Sequence, residues 1–370
     1  MELSYWEYKT WLRDVDFTVI GSGIVGLSTA LHLKQQYPKA KILVLEKGTL
    51  PQGASTKNAG FACFGSISEL LDDLNTHSEE TIFEMVSQRW QGIQLLLKLL
   101  GPKAIDYQRF GGHELFLNKD ERLFERCLDQ MEAINTLLSP IFKGKPFEKT
   151  QNKFGFQHIA SEYITHRFEG QLDTGKMMLH LLNLVKQQGI FILNQVAALG
   201  FEDIGKEVLV KTQELDFSTA TLLITTNGFA ATLLAEAVKP ARAQVLVTQP
   251  IKGLSIQGTF HIDQGYYYFR NIDGRVLLGG GRNLDFDGET TMSFGQTTLI
   301  QEHLETLLKQ VILPHTDFEI AHRWSGIMGM GPQKQPIIKQ LSNRVYCGVR
   351  LGGMGVAIGS LVGHKLAHLI

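Results

Sequence analysis

Apolar residues fall in two patterns along this chain, short unbroken runs and runs spaced at helical intervals. The unbroken run at 17–20 is followed by glycines, an apolar segment at 24–36 and a second run, Ile-Leu-Val-Leu, at 42–45. This order predicts strand, helix, strand: a βαβ unit with buried strands. Ile82, Val86, Trp90, Ile93, Leu97 and Leu100 then recur at helical spacing over 79–100, and Leu123, Cys127, Met131, Ile134 and Leu138 repeat the pattern. Between these helices, 104–110 and 113–117 read as strands joined at Gly111-Gly112. A helix over 174–188 is ended by Gly189, and strands follow at 190–196, 208–212 and 221–226, the last stopping at Asn227-Gly228. A second strand-rich stretch covers 241–248, 259–262, 266–270 and 276–278. A helix over 296–311, a strand near 318–324, a strand at 345–348 and a helix over 354–369 complete the chain.

The first βαβ unit carries the most specific signal. Gly21 makes a tight turn after the strand, Gly23 lets backbone approach a pyrophosphate, and Gly26 lets the helix pack closely on that strand. Phosphates would sit among Gly21, Ser22, Gly23 and Ile24, where unpaired N–H groups and the helix dipole favour negative charge. Glu46, at the end of the second strand and followed by Lys47, stands where a carboxylate accepts hydrogen bonds from an adenosine ribose. The alternative is a glycine-rich turn in an ordinary α/β domain.

At 370 residues the chain predicts two domains. Lys and Arg number 36 against 37 Asp and Glu, which leaves no field to attract nucleic acid or an anionic membrane. Cys63, Cys127 and Cys347 lack metal-ligand spacing, so neither a structural zinc nor a disulfide framework is expected, and a cytoplasmic setting fits. No run of about 20 apolar residues is present, so no transmembrane segment is expected. Residues 1–16 carry Tyr5, Trp6, Tyr8 and Trp11 without the apolar core of a signal peptide, and read as a short helix capping its own domain.

Several further motifs resemble the FAD-dependent family that includes glycine oxidase, D-amino acid oxidase and sarcosine oxidase. Gly53-Ala-Ser-Thr-Lys-Asn-Ala-Gly60 is similar to the family's loop along the flavin and its pyrophosphate. Gly170-Gln-Leu-Asp173 resembles the segment opening the middle helix, and Leu222-Leu-Ile-Thr-Thr-Asn-Gly228 the strand returning beside the dinucleotide. Trp324-Ser-Gly326 resembles the strand crossing towards the flavin, and Gly352-Gly-Met-Gly-Val356 the loop at the pyrimidine end of the ring. The resemblance implies a Rossmann-like FAD-binding domain interleaved with an α+β substrate domain containing a mixed sheet. Residues 1–76, 154–238 and 326–370 would form the first, and 77–153 and 239–325 the second. Ser55, Thr56, Lys57, Asn58, Ala59, Gly60, Val196, Asn227, Gly228, Gly353, Met354, Gly355 and Val356 join the glycine turn, Glu46 and Lys47 as expected contacts of non-covalent FAD. Short polar residues between glycines suit a phosphate or flavin edge.

The implied chemistry is oxidation of a C–N bond of a small amine or amino acid, with hydride transfer to the flavin. A 2-hydroxy-acid oxidase or dehydrogenase and a non-catalytic electron-transfer subunit remain as alternatives. Tyr266-Tyr-Tyr-Phe-Arg270 is the expected substrate wall, with Tyr266 and Tyr268 on one face together with Arg270 and with Tyr267 and Phe269 on the other. By resemblance, Tyr266 stands where glycine oxidase-like members place a tyrosine against the substrate carboxylate. His113, His166, His261 and His322 read as isolated structural or surface residues. Two positions depart from the family. Met328 stands where amino-acid oxidases place a carboxylate-binding arginine, which leaves Arg350 as the expected charge, ahead of Arg270 and Arg323. Leu277 stands where sarcosine oxidase-like members carry a lysine that promotes reaction with oxygen, so the electron acceptor, oxygen or another, stays open.

Overall fold

The strand Val15–Ile20 lies at the centre of a sheet, parallel to Ile42–Glu46 on one side and to Asp216–Ile224 on the other. Phe191–Asn194 and Val345–Val349 extend this parallel core outward. Ile337–Ser342, Val208–Thr212 and Ala198–Asp203 add antiparallel strands, which makes eight in all. This computed structural model describes residues 2–370; residue 1, where the first expected segment begins, lies outside the described residues.

A second eight-stranded sheet runs in the order Ile320–Met330, Lys239–Thr248, Arg275–Gly280, Tyr267–Ile272, Thr259–Ile262, Gly112–Leu115, Glu162–His166 and Phe147–Gln151. It is mixed, because Thr259–Ile262 and Gly112–Leu115 run parallel while the other neighbours are antiparallel. The architecture is the expected α/β one, with a mixed sheet beside a parallel one. Glu162–His166 pairs within the second sheet although it lies inside the 154–238 segment, and Ile320–Met330 stays in that sheet past residue 326.

Helix Ile24–Gln36 forms where the glycine turn ends, and its residues from Ile24 to Leu33 are all buried. The C-terminal helix Gly355–Ala367 packs against it through small residues. A Cβ on Gly359 would come within 2.8 Å of the Ile24 side chain, and one on Gly363 within 2.6 Å of Ser28 Cβ. On its other flank lies the long helix Glu79–Leu100, where a Cβ on Gly92 would overlap the Ala357 carbonyl. The largest apolar core spreads from this layer into helices Glu121–Phe142 and Thr174–Gln187. Asn135 ties the first of these to the outer strand, donating from Nδ2 to Phe147 O and accepting from Phe147 N.

Some expected elements differ. Residues 104–110 are a turn rather than a strand: Tyr107 N donates to Pro102 O, Asp106 adopts φ +50°, and Gln108 alone bridges to Gln171. The turn satisfies those backbone groups locally, so nothing is left for a ladder. The short helix Ile67–Asp73 and the strands Phe147–Gln151, Glu162–His166, Ala198–Asp203 and Ile337–Ser342 carry no clean apolar period, three of these strands being half-polar outer ones. The N-terminal arm forms a short helical segment against its domain: Trp11 meets Phe191 edge-on and Leu12 supplies the buried anchor, while Tyr5, Trp6 and Tyr8 are exposed. Among the described residues, no helix is long and apolar enough to cross a membrane.

Gly92→Ala places a methyl against backbone that cannot retreat, so the substitution is expected to destabilise the protein by about 1–3 kcal/mol, the cost of overpacking a dense interior. A urea unfolding series checks this through a lowered midpoint with an unchanged slope.

Candidate active site

The parallel strands Val15–Ile20, Ile42–Glu46, Asp216–Ile224 and Val345–Val349 all point their carboxyl ends at one cavity of about 880 Å³. A crevice at these strand ends is where open α/β sheets bind ligands. The turn that opens the cavity is held by close backbone approach. Gly21 adopts φ +105°, and a Cβ on Gly26 would overlap the Gly21 carbonyl. Thr225 staples the neighbouring strand ends, donating from Oγ1 to Ile20 O at 2.7 Å.

Helix Ile24–Gln36 has no cap from its own Gly23; Ser55 Oγ supplies it from the 53–60 loop, accepting from Ile24 N at 2.9 Å. A Cβ on Gly23 would stand 2.8 Å from that oxygen, so only glycine leaves room. Glu46, 5% exposed, accepts from Ser22 N, from Ser22 Oγ at 2.6 Å and from Gly48 N at 2.9 Å. The carboxylate therefore locks the glycine turn to the end of the second strand. Burial lowers the pKa of Lys47 beside it, whose ammonium rests 3.1 Å from the Phe229 ring centre.

Most of the expected contacts line this one cavity: Gly21, Ser22, Gly23, Ile24, Glu46 and Lys47 from the opening unit, Ser55, Lys57, Asn58 and Ala59 from the loop, and Val196, Asn227 and Gly228 from the middle of the chain. Gly353, Met354, Gly355 and Val356 close it from the far side. Three expected contacts lie outside the wall. Gly26 serves the close packing of its helix on the Gly21 carbonyl and Thr225, Thr56 turns inward to donate from Oγ1 to Pro51 O, and Gly60 adopts φ +74° against the Leu172 carbonyl. Asn58 borders the cavity but spends its amide inside the loop, donating from Nδ2 to Ser55 O and accepting at Oδ1 from Gly60 N and Thr174 Oγ1.

The second sheet supplies the opposite wall. Tyr266 and Tyr268 both face the cavity, whereas Tyr267 and Phe269 enter the core of their own sheet. The strand begins at Tyr267, so Tyr266 belongs to the turn before it. The Tyr268 ring lies against Gly279, where a Cβ would stand 2.7 Å from it, and burial pushes its phenol up to about 12. Arg270 shares this face without lining the cavity; its Nη1 donates to the carbonyls of Ala59, Gly60 and Leu172, which fixes the loop. Arg323 lies elsewhere, bonded to Gln301 and Glu305. Arg350 does line the cavity, beside Met328, and donates from Nε to Gln335 O. Leu277 packs into a small apolar cluster with Ala59, Val245 and Val247.

Of the four histidines, His113 and His166 are buried among aromatic rings, with burial pushing each down to about 3, and His322 is at the surface. His261 is a correction, because it lines the cavity beside Phe61 and Tyr268. Sequence reasoning also missed Phe61, Glu69, Arg89 and Lys334 in the wall. The pattern Ser66-x-x-Glu69 is a readable capping box, but nothing local tells which cavity its acid faces. Cys63 reaches the wall with its Sγ 3.8 Å from Met354 Sδ, and Cys127 and Cys347 are buried elsewhere; all three are free thiols. Among the described residues, no cluster is arranged to hold a metal ion.

Comparison with known proteins agrees with this geometry. The chain is 24% identical over 375 residues to a probable oxidoreductase, OrdL, of Rhizobium meliloti, covering 96% of this chain and 83% of that protein. It is equally 24% identical to gamma-glutamylputrescine oxidoreductase of Escherichia coli, over 96% of this chain and 83% of that protein. In fold it is similar to glycine oxidase from Geobacillus kaustophilus, with a TM-score of 0.77 at 17% identity over 96% of this chain and 94% of that one. It is similar also to L-proline dehydrogenase from P. horikoshii, with a TM-score of 0.75 at 18% identity over 96% and 93%. The family pattern described as FAD dependent oxidoreductase matches residues 16–369, and the chain belongs to that family, DAO.

Proposed function

We propose that this FAD-dependent oxidoreductase oxidises the carbon–nitrogen bond of a small amine or amino acid, held between the flavin and the wall of Tyr266 and Tyr268. The observation that carries the reading is the convergence of the glycine turn, Glu46 and the 352–356 loop on one cavity whose far wall is aromatic. The residues fit FAD: a cradle that a Cβ at Gly23 would narrow against Ser55 Oγ, a helix N-terminus facing it, and open space beside Gly53, Gly353 and Gly355. When bound, FAD supplies the two-electron acceptor for the C–H bond next to nitrogen.

In this reading the pyrophosphate lies at the positive end of helix Ile24–Gln36 where Gly23 leaves room, Gly21, Ser22 and Ile24 shape that turn through N–H groups bonded to Leu45 O, Glu46 and Ser55 Oγ, and Glu46 faces the adenosine ribose. Ser55, Lys57, Asn58 and Ala59 border the dinucleotide along the loop, with Val196, Asn227 and Gly228 beside it. Backbone N–H groups at Gly353, Gly355 and Val356 would stabilise the charge that builds on reduction, while Met354, its N–H donated to Leu351 O, borders the ring with its side chain. The division into an FAD domain around the parallel sheet and a substrate domain around the mixed one follows.

Tyr266 and Tyr268 orient the substrate over the ring. Because burial holds the Tyr268 phenol protonated, it donates a hydrogen bond rather than carrying charge. No dedicated base is needed if the amine arrives ready to lose its proton. Met328 offers a flexible apolar surface where relatives hold a carboxylate, so carboxylate binding falls to Arg350. The relatives act, by their names, on gamma-glutamylputrescine, glycine, proline and iminodiacetate, which supports a C–N rather than a hydroxyl substrate. Membership of an oxidoreductase family sets aside the purely electron-carrying alternative. Three buried free thiols fit a reducing compartment, which supports a cytoplasmic setting in this reading.

Purified protein is expected to release FAD, not FMN, into the supernatant on acid precipitation, as mass analysis would show. Glu46→Gln puts an amide where four donors converge, and is expected to weaken FAD retention roughly 10–100-fold, the scale of a hydrogen bond to a charged group. Fluorescence of flavin released during dialysis measures it. Anaerobic bleaching by a panel of amines, amino acids and 2-hydroxy acids tests the reaction. A less acidic, bulkier amine is expected to reduce the flavin faster than glycine or D-alanine, and bleaching by hydroxy acids alone would overturn the assignment.

A further inference from the structure

We infer that Glu69 is the counter-charge for a second, protonated amino group on the substrate, so that the enzyme selects amines bearing a distal cation. This rests on the amine-oxidation reading and goes further by naming the charge type at the far end of the molecule.

Glu69 lines the cavity, and its carboxylate stands 3.2–3.4 Å from the place a Cβ on Gly265 would occupy, next to Tyr266. Its fold role engages part of the group: in the capping box of helix Ile67–Asp73, Oε2 accepts from Ser66 N at 3.1 Å. Among the described residues it has no ion pair. The cations of the same cavity are otherwise engaged. Lys334 pairs with Asp73 at 2.6 Å, Arg89 donates to Phe64 O at 2.6 Å, and Arg350 donates to Gln335 O. Lys47, Lys57 and Arg282 lie over aromatic rings. The cavity therefore presents a carboxylate that, among the described residues, no cation pairs with directly.

A second observation in the same wall points to a ligand. His261 is 7% exposed, and its Nε2 has no hydrogen-bond partner. It sits edge-on to Phe61, which in turn meets Tyr268 edge-on at 5.6 Å. A neutral imidazole nitrogen accepts from an N–H donor, aromatic faces attract organic cations, and a carboxylate completes the set. An ammonium brings three donors and the charge sign that each of these groups takes. A carboxylate or an alkyl chain would leave the Glu69 charge facing it unpaired.

The test compares a short α,ω-diamine, 1,4-diaminobutane, with butylamine of equal length, read as kcat and KM for flavin reduction in the FAD-loaded enzyme. The wild type is expected to favour the diamine, through KM rather than kcat. In Glu69→Gln, which retains an oxygen for the capping bond, the diamine-to-monoamine ratio of kcat/KM should fall roughly 10–100-fold. Glu69→Asp, which retains the charge, should keep a preference for the diamine. Matching FAD content and circular dichroism show that the variants fold. Equal KM for the two amines in the wild type, or an unchanged ratio in Glu69→Gln, overturns this inference alone. If no amine or amino acid reduces the flavin, the amine-oxidation reading falls and this inference falls with it.

Discussion

The crossing of helices Ile24–Gln36 and Gly355–Ala367 is the constraint on which the rest of the structure depends. Gly359 and Gly363 let the C-terminal helix settle on Ile24–Gln36 at a distance that any larger side chain would prevent. Close packing of this kind has little slack, because interiors are as dense as organic crystals and adapt poorly to an added methyl. The contact joins the two ends of the chain, and it brings the 352–356 loop opposite the glycine turn. Neither loop alone encloses anything.

Parallel strand order then turns that contact into a cavity. Five strands drawn from the beginning, middle and end of the chain lie side by side in one direction, so the segments after them arrive at one edge. Glu46 and Thr225 fix those segments by hydrogen bonds to the glycine turn and to the neighbouring strand end. The mixed sheet presents its aromatic face from across the gap. Arg270 is the clamp between the two bodies: a guanidinium from the mixed sheet, its pKa lowered to about 10 by burial, bonded to carbonyls of the loop that borders the cavity.

Charge in the cavity is unevenly spent. The lysines and arginines that reach it are tied to carbonyls, carboxylates or ring faces, while Glu69 contributes a carboxylate with no ion-pair partner among the described residues. A buried or half-buried charge without a partner is costly in a folded protein and is retained where a ligand completes it. The apolar residues Met328 and Phe61 deepen the contrast by limiting how well water screens the site.

The sequence by itself determined the opening βαβ unit, whose helix starts at Ile24 and ends at Gln36 as the periodicity predicts, and the long helix Glu79–Leu100. These are legible because unbroken apolar runs, helical spacing and glycines in register are local signals set by covalent geometry and burial. The alternation that sends Tyr268 one way and Tyr267 and Phe269 the other is also local, whereas Tyr266 reaches the same wall from the turn before the strand. Tertiary structure alone decided the roles of Arg270, Asn58 and Thr56, whose polar types suggest ligand contacts but whose bonds go to the protein. It alone decided that His261 and Glu69 face the cavity while His113 and His166 do not. The physical reason is that a side chain's partner depends on which strands lie opposite it. That is fixed by long-range pairing and by the helix crossing at Gly359 and Gly363, not by the residues next to it in the chain.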